Sequence, residues 1–280
     1  MRKILVPTDF SEESKNAYEV ALAIARKINA EIVLLHTIEM PYNSTFSTTG
    51  ENTSDGMEQV YMLHLLENVK RDMNKFKNAF PYEGLHVTEA VDVSRLHSKV
   101  NNLVQEQGID LIVMGSKGAS GLQEILIGSN TEKVVRTATC PVLTVKDRQQ
   151  HFEPREIVVA SDFKREIKGA MQRFKSLQEM FGAKLHLVYV NTPSAFENSL
   201  NLQQRLVQLA EDHNLQNYSV NIFNDVTEED GILHFAYNIK ADLIMMATHG
   251  RTGLSHLLSG SIAEDIVNHT TTPVLTFHLR

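Results

Sequence analysis

Two stretches of this chain combine residue types and spacings suited to holding an anionic ligand. The first is Gly115-Ser116-Lys117-Gly118, nine residues, then Gly128-Ser129-Asn130. It follows the apolar run Leu111–Met114, which reads as a buried strand, and leads into a helical pattern from Thr131. The second, Ala247-Thr248-His249-Gly250, nine residues, then Gly260-Ser261, repeats the spacing after another apolar run. Glycines at 115 and 118 would let backbone approach a phosphate with no Cβ in the way. A Gly-Ser pair at a helix start adds unpaired N–H groups, the positive end of the helix dipole and a hydroxyl donor.

A third element points to the same chemistry. Pro7-Thr8-Asp9 ends the apolar run Ile4-Leu5-Val6. In an open parallel sheet, ligands bind beyond the carboxyl ends of strands where strand order reverses. If the strands ending at Pro7 and Met114 are neighbours, both turns face one crevice, with Asp9 placed to accept hydrogen bonds from a sugar or base. Ser129-Asn130-Thr131-Glu132 and Ser261-Ile262-Ala263-Glu264 also match a helix capping box, which needs no ligand. Asp9 and Asp162 likewise suit turns or caps. Taken together the set favours a ligand, because a capping box requires neither Gly115 nor Gly118.

Other chemistries lack their residues. No glycine-lysine pair precedes Ser or Thr, G-x-G-x-x-G is absent, and Gly118-Ala119-Ser120-Gly121 is not a nucleophile elbow. The 12 histidines are scattered, and His249 with His256 offers no third metal ligand. Asp225–Asp230 lacks calcium-loop spacing and reads as a solvated helix start. Cys140, before Pro141, reads as a packed small side chain, and a lone cysteine precludes an internal disulfide. A net charge of -7 without a basic run argues against nucleic acid, and no apolar stretch approaches the ~20 residues of a membrane span. The expected location is the cytoplasm.

The elements that must position these residues alternate. Strands are expected at 3–6, 32–35, 85–91, 110–114 and 141–145, with helices at about 12–28, 57–79, 95–107 and after Gly128. Pro41–Gly56 is polar and aperiodic and reads as a loop, either a tolerated insertion or a lid. Residues 147–155 read as a linker, after which the pattern restarts. Glu156–Phe163 echoes Lys3–Phe10 at an offset of 153, whereas Gly118/Gly250, Gly128/Gly260 and Pro141/Pro273 stand 132 apart. The chain is a duplication whose first half carries 21 extra residues, expected mostly in the 41–56 loop. The expected division is residues 1–146, a linker at 147–155, and residues 156–280.

On the opening Ile4-Leu5-Val6-Pro7-Thr8-Asp9-Phe10-Ser11, the G-x-x-G, nine residues, G-S pattern and the Pro-Val-Leu strands, the chain resembles the universal stress protein family in its tandem form. The resemblance implies two tandem Rossmann-like α/β domains, each a three-layer α/β/α unit around a five-stranded parallel sheet of order 3-2-1-4-5. It implies ATP as ligand, with or without Mg²⁺. Asp9 and a main-chain group at Thr37 would hold base and ribose, with Asp162 and Val190 as second-half counterparts. Met114, Gly115, Gly118, Gly128, Ser129 and Asn130 would surround the phosphates. Lys117 and Arg251 would approach them or stay solvated. The second half departs from the pattern: Ala247 replaces the first glycine and Ala160-Ser161-Asp162 replaces Pro-Thr-Asp, with His249, Gly250, Gly260 and Ser261 the remaining candidates.

The resemblance further implies pairing of the fifth strands, here between the two halves, and a homodimer of chains as an option. The function expected is nucleotide binding in a stress or signalling role without robust turnover, centred on the first half. A slow ATPase or nucleotidyl-transfer enzyme, and a nucleotide-independent interaction module, are the alternatives.

Overall fold

In the computed structural model, residues 1–39, 55–116, 127–164, 167–249 and 261–279 are described. The first half runs β1 (Lys3–Pro7), α1 (Glu12–Ile28), β2 (Glu31–Thr37), α2 (Asp55–Lys77), β3 (Val87–Asp92), α3 (Leu96–Gln107), β4 (Leu111–Gly115), α4 (Ser129–Thr137) and β5 (Val142–Val145). The second runs β6 (Glu156–Ala160), α5 (Lys168–Phe181), β7 (Lys184–Asn191), α6 (Ser199–Asp212), β8 (Tyr218–Asn224), α7 (Glu228–Ile239), β9 (Leu243–His249), α8 (Ser261–His269) and β10 (Val274–Leu279).

The strands form one ten-stranded sheet ordered β3-β2-β1-β4-β5-β10-β9-β6-β7-β8. Each half is parallel, in the order 3-2-1-4-5, and β1 lies between β2 and β4. That places the order reversal, and the crevice it opens, between β1 and β4. The halves join where β5 and β10 run antiparallel, with Leu143 opposite Leu275. Thr144 and Thr276 are buried there, and each donates its hydroxyl to a carbonyl across the junction, on Val274 at 3.1 Å and Val142 at 3.3 Å. Satisfied hydroxyls let both strands bury what would otherwise be exposed sheet edges.

The helices form because their apolar residues recur on one face and their ends are capped. In α1, Ser11 caps the start, Glu12 and Glu13 occupy the first turn, and Asn29 closes the end in the left-handed region at φ 52°. One face of the sheet carries α1, α2, α5 and α6 in a core continuous across both halves, including Tyr18, Met73, Phe174 and Leu206. The other face is split: α3 and α4 cover the first half, α7 and α8 the second.

The 147–155 segment is anchored rather than loose. Phe152 is buried edge-on against Phe181 at 5.7 Å, and Arg148 and Glu153 pair with Glu19 and Lys27 of α1. The extra residues of the first half are also placed differently from expectation. Helix α2 has 23 residues against 14 in α6, so nine of the 21 lengthen a helix. Asp55 and Gly56, expected in the loop, open α2, and the rest of the 41–56 stretch lies outside the described residues.

Candidate functional site

At the carboxyl ends of β1, β2 and β4, a cleft of about 290 Å³ is lined by Pro7, Thr8, Asp9, Thr37, Met114, Gly115, Gly128, Ser129 and Asn130. Thr8 is buried: its N–H donates to the Leu35 carbonyl (2.8 Å), its hydroxyl pairs with Ser14 Oγ (3.1 Å), and it accepts the Phe10 N–H (3.0 Å). These bonds hold Phe10 at φ 66°, a conformation unusual for a bulky residue, which turns the chain sharply. Asp9 is thereby exposed on the cleft wall. Its Oδ1 accepts the Ser11 N–H (3.1 Å) and hydroxyl (2.6 Å), while Ser11 Oγ accepts the Ser14 N–H (3.2 Å). Ser11, then, caps α1, and Asp9 braces that cap.

The opposite wall is the start of α4. Gly128 occupies the N-cap, with its N–H donating to the Ser116 carbonyl at 2.8 Å. The capping box that the sequence also matches at Ser129 does not form, because Ser129 is already the first helical residue and no side chain caps the helix. Glu132, the second member of that spelling, pairs with Arg136 one turn on at 3.0 Å. The first N–H groups of α4 have no intrahelical acceptor, and they and the exposed Ser129 hydroxyl stand at the cleft.

Gly115 is required for a reason other than the one its spacing suggests. A Cβ there would lie 2.9 Å from the Glu13 carbonyl carbon and 3.0 Å from Glu13 Cβ. The glycine admits the first turn of α1 against the end of β4, so it closes the site's frame rather than clearing space for a phosphate. Its carbonyl accepts the buried Thr131 hydroxyl at 2.9 Å, tying α4 to β4.

Sequence reasoning missed five lining residues: Ser14, His36, Glu39, Leu96 and Thr131. His36 stacks on Phe10 (4.4 Å between ring centres), and its Nδ1 lies 2.8 Å from the Thr8 carbonyl, which requires a protonated Nδ1. Glu39 accepts the Leu96 N–H at 3.4 Å, at the start of α3. Thr131 was legible as the third residue of the Ser129 pattern; the others enter only because β1 and β2 end, and α1 and α3 begin, at one place. Ser116 Oγ is buried with no hydrogen-bond partner among the described residues. Lys117 and Gly118 lie outside those residues.

The second half has a smaller cleft, about 120 Å³, lined by Ser161, Asp162, Val190 and Ala247 together with Glu228 and Ile262. The β6 turn copies the first: Ser161 Oγ accepts the Phe163 N–H (3.2 Å), Asp162 Oδ1 accepts the Lys164 N–H (3.1 Å), and Phe163 has φ 51°. His249 ends β9 and Ser261 begins α8, while Gly250, Arg251 and Gly260 lie outside the described residues. The rim is cross-linked. Tyr189 donates its hydroxyl to Glu197 (3.1 Å), Glu197 pairs with Arg205 (2.8 Å), and Arg205 donates to the Asp162 carbonyl (3.3 Å). Burial, then the Glu197 contact, pushes the Tyr189 hydroxyl up to about 12, and the Arg205 hydrogen bond leads in holding Glu197 below its ordinary carboxyl value.

Cys140 is buried, and burial pushes its thiol up to about 12, well away from a reactive thiolate. Among the described residues no group of three or more His, Cys, Asp or Glu is placed to hold a metal ion, and no helix is long and apolar enough to cross a membrane.

The arrangement defines a class: an α/β protein of two like halves, each an open parallel sheet with a switch-point cleft. The pattern that describes the universal stress protein family matches residues 1–146 and again 154–278, and the chain belongs to that family. It is 35% identical to Universal stress protein MJ0577 of Methanocaldococcus jannaschii over 153 residues, 52% of this chain and 94% of that protein. It is 22% identical to Universal stress protein Slr1230 of Synechocystis over 99% of this chain and the whole of that one. Among solved structures, a universal stress protein from Archaeoglobus fulgidus superposes with a TM-score of 0.66 at 22% identity, covering 99% of this chain and 96% of that one, which establishes the shared fold.

Proposed function

We propose that the first-half cleft binds a nucleotide, ATP in the first instance, and that the chain acts as a nucleotide-responsive stress or signalling module rather than as an enzyme. The observation that carries this reading is the meeting, in one cleft, of the Asp9 turn, the end of β2 at Thr37 and the uncapped start of α4. Asp9 would accept hydrogen bonds from ribose hydroxyls, and the main chain at Thr37 would face the base. The α4 N–H groups with Ser129 and Asn130 would hold phosphates, where amide donors and the helix dipole favour negative charge. When bound with Mg²⁺, the nucleotide would bring its own counter-charge, since the lining offers Asp9 and Glu39 but no lysine or arginine among the described residues.

Two atoms that could serve as bases in the lining are already engaged within the protein. The His36 Nδ1 is committed to the Thr8 carbonyl and Asp9 Oδ1 to Ser11, so neither atom is free to take a proton from an attacking water. In this reading residues 1–146 form the binding unit, and residues 156–280, joined through 147–155, form a unit with little or no affinity for nucleotide. Isothermal titration with ATP should give one site per chain and a raised melting temperature. Two sites of equal affinity would overturn the assignment to the first half. The absence of any heat or melting shift with ATP would overturn nucleotide binding itself.

A further inference from the structure

The start of α4, the phosphate-facing wall of the first cleft, is held by the second half of the chain. Ile127, next to the Gly128 cap, donates its N–H to Asn268 Oδ1 of α8 at 2.5 Å. Its side chain packs against the α7–α8 core of the second half, the cluster that includes Ile232 and Ile266. Asn268 is buried, in the last turn of α8, and its carbonyl accepts the Lys146 ammonium at 2.9 Å. One residue of the second half thus receives two groups of the first: an amide through its side chain, and a cation placed where a helix C-terminus favours one. Nearby, Arg136 of α4 forms a two-oxygen pair with Glu264 of α8 at 2.8 and 3.1 Å, a second link between the two helices.

The copy relation makes the contact specific. At the 132-residue offset, Asn268 corresponds to Arg136, which turns to Glu264 instead. The amide clamp is therefore not a by-product of the duplication but a feature of the second half's own sequence.

We propose that Asn268 is a positioning residue for the first-half cleft: α8 fixes the direction of the Gly128–Thr131 amides, so the affinity of that cleft for phosphate depends on the second half. The inference rests on the nucleotide reading for its consequence, but its structural core is measurable without ligand. The full-length chain is compared as wild type, Asn268→Ala, which removes the acceptor, and Asn268→Asp, which keeps one beside Lys146. Hydrogen exchange of amides 127–131 is followed without ligand, then the ATP dissociation constant is measured on the same preparations. Asn268→Ala should speed exchange at Ile127 and Gly128 and weaken ATP roughly three- to tenfold, the loss expected for one hydrogen bond, while Asn268→Asp stays within about twofold of wild type. Equal exchange in all three chains, or equal impairment by both substitutions, overturns the proposal, the latter because it would mark general packing of α8. If wild type binds no ATP, the nucleotide reading falls, while the exchange comparison still decides whether Asn268 holds α4. If Asn268→Ala does not fold, Ile127→Ala, which removes the apolar half of the anchor, takes its place: faster exchange at Gly128–Thr131 supports the proposal and unchanged exchange overturns it.

Discussion

The two clefts of this chain share a frame and differ in lining. Both sit at the carboxyl ends of equivalent strands, and both use a Ser or Thr hydroxyl to turn a phenylalanine into positive φ after the aspartate. At equivalent positions the first cleft has Thr37, Leu96, Asn130 and Gly115, and the second has Val190, Glu228, Ile262 and Ala247. Two polar donors have become aliphatic, and a carboxylate stands at the α7 start where the first half has an aliphatic residue at the α3 start. Both linings carry two carboxylates, Asp9 with Glu39 and Asp162 with Glu228, and the second adds Lys164, so what an anion would miss in the second cleft is donors rather than charge. The approach of α7 also differs. Gly231 brings that helix so close to β7 that a Cβ would stand 2.4 Å from Val190 Cγ1, whereas the equivalent residue of α3 is Lys99, paired with Asp92 at 2.6 Å. Duplication preserved the turn that makes a cleft, and substitution of its lining changed what it can hold.

The largest expected difference concerns the frame. Gly115→Ala forces a methyl against the Glu13 backbone and should destabilise the chain by about 1–3 kcal/mol in urea unfolding. Ala247→Gly should cost no more than about 1 kcal/mol, the usual penalty of glycine flexibility. Equal effects would mean that the two strand ends are packed alike. For the lining, Asn130→Ile gives the first cleft the residue of the second and should weaken ATP by about tenfold or more in titration calorimetry, as loss of a donor to a charged group implies. Ile262→Ala should leave ATP affinity and stoichiometry unchanged, and a change there would return the second cleft to consideration as a nucleotide site.

A smaller effect is expected from Thr131→Val, which removes the hydroxyl held by the Gly115 carbonyl where the second half has Ala263. Stability should fall by about 1 kcal/mol. The smallest concerns pH. Because Arg205 holds Glu197 below its ordinary value, the pair stabilises the second cleft's rim above the unfolded carboxyl pKa, near 4.3, and this is lost as pH falls through the folded value. Both side chains are about a third exposed, so the loss should stay under about 1 kcal/mol and shrink in high salt. Arg205→Met should weaken that acid dependence, leaving the smaller part due to Tyr189 and Lys164, and an unchanged acid limb of the unfolding curve would remove the rim pair from the comparison.

Much of this protein is determined by local sequence. Continuous apolar runs separated by amphipathic stretches dictate a parallel sheet covered on both faces, and the offsets of 153 and 132 dictate two copies. Asp9, Gly128 and Ser129 were legible as one set because their chemistry is tied to a strand end and a helix start, which periodicity locates, whereas Thr37 and Asn130 joined them only through the family resemblance. What periodicity cannot locate is which surfaces meet. The capping box at Ser129 matches in spelling, yet the helix starts one residue too early for it, since Gly128 is fixed from outside by Ser116. Gly115 reads as room for a ligand and proves to be room for Glu13, 102 positions earlier in the chain. The clamp from Asn268 to Ile127 spans 141 residues and carries no motif. Only the last of these crosses the β5–β10 junction, but all three depend on which surfaces the folded chain brings together.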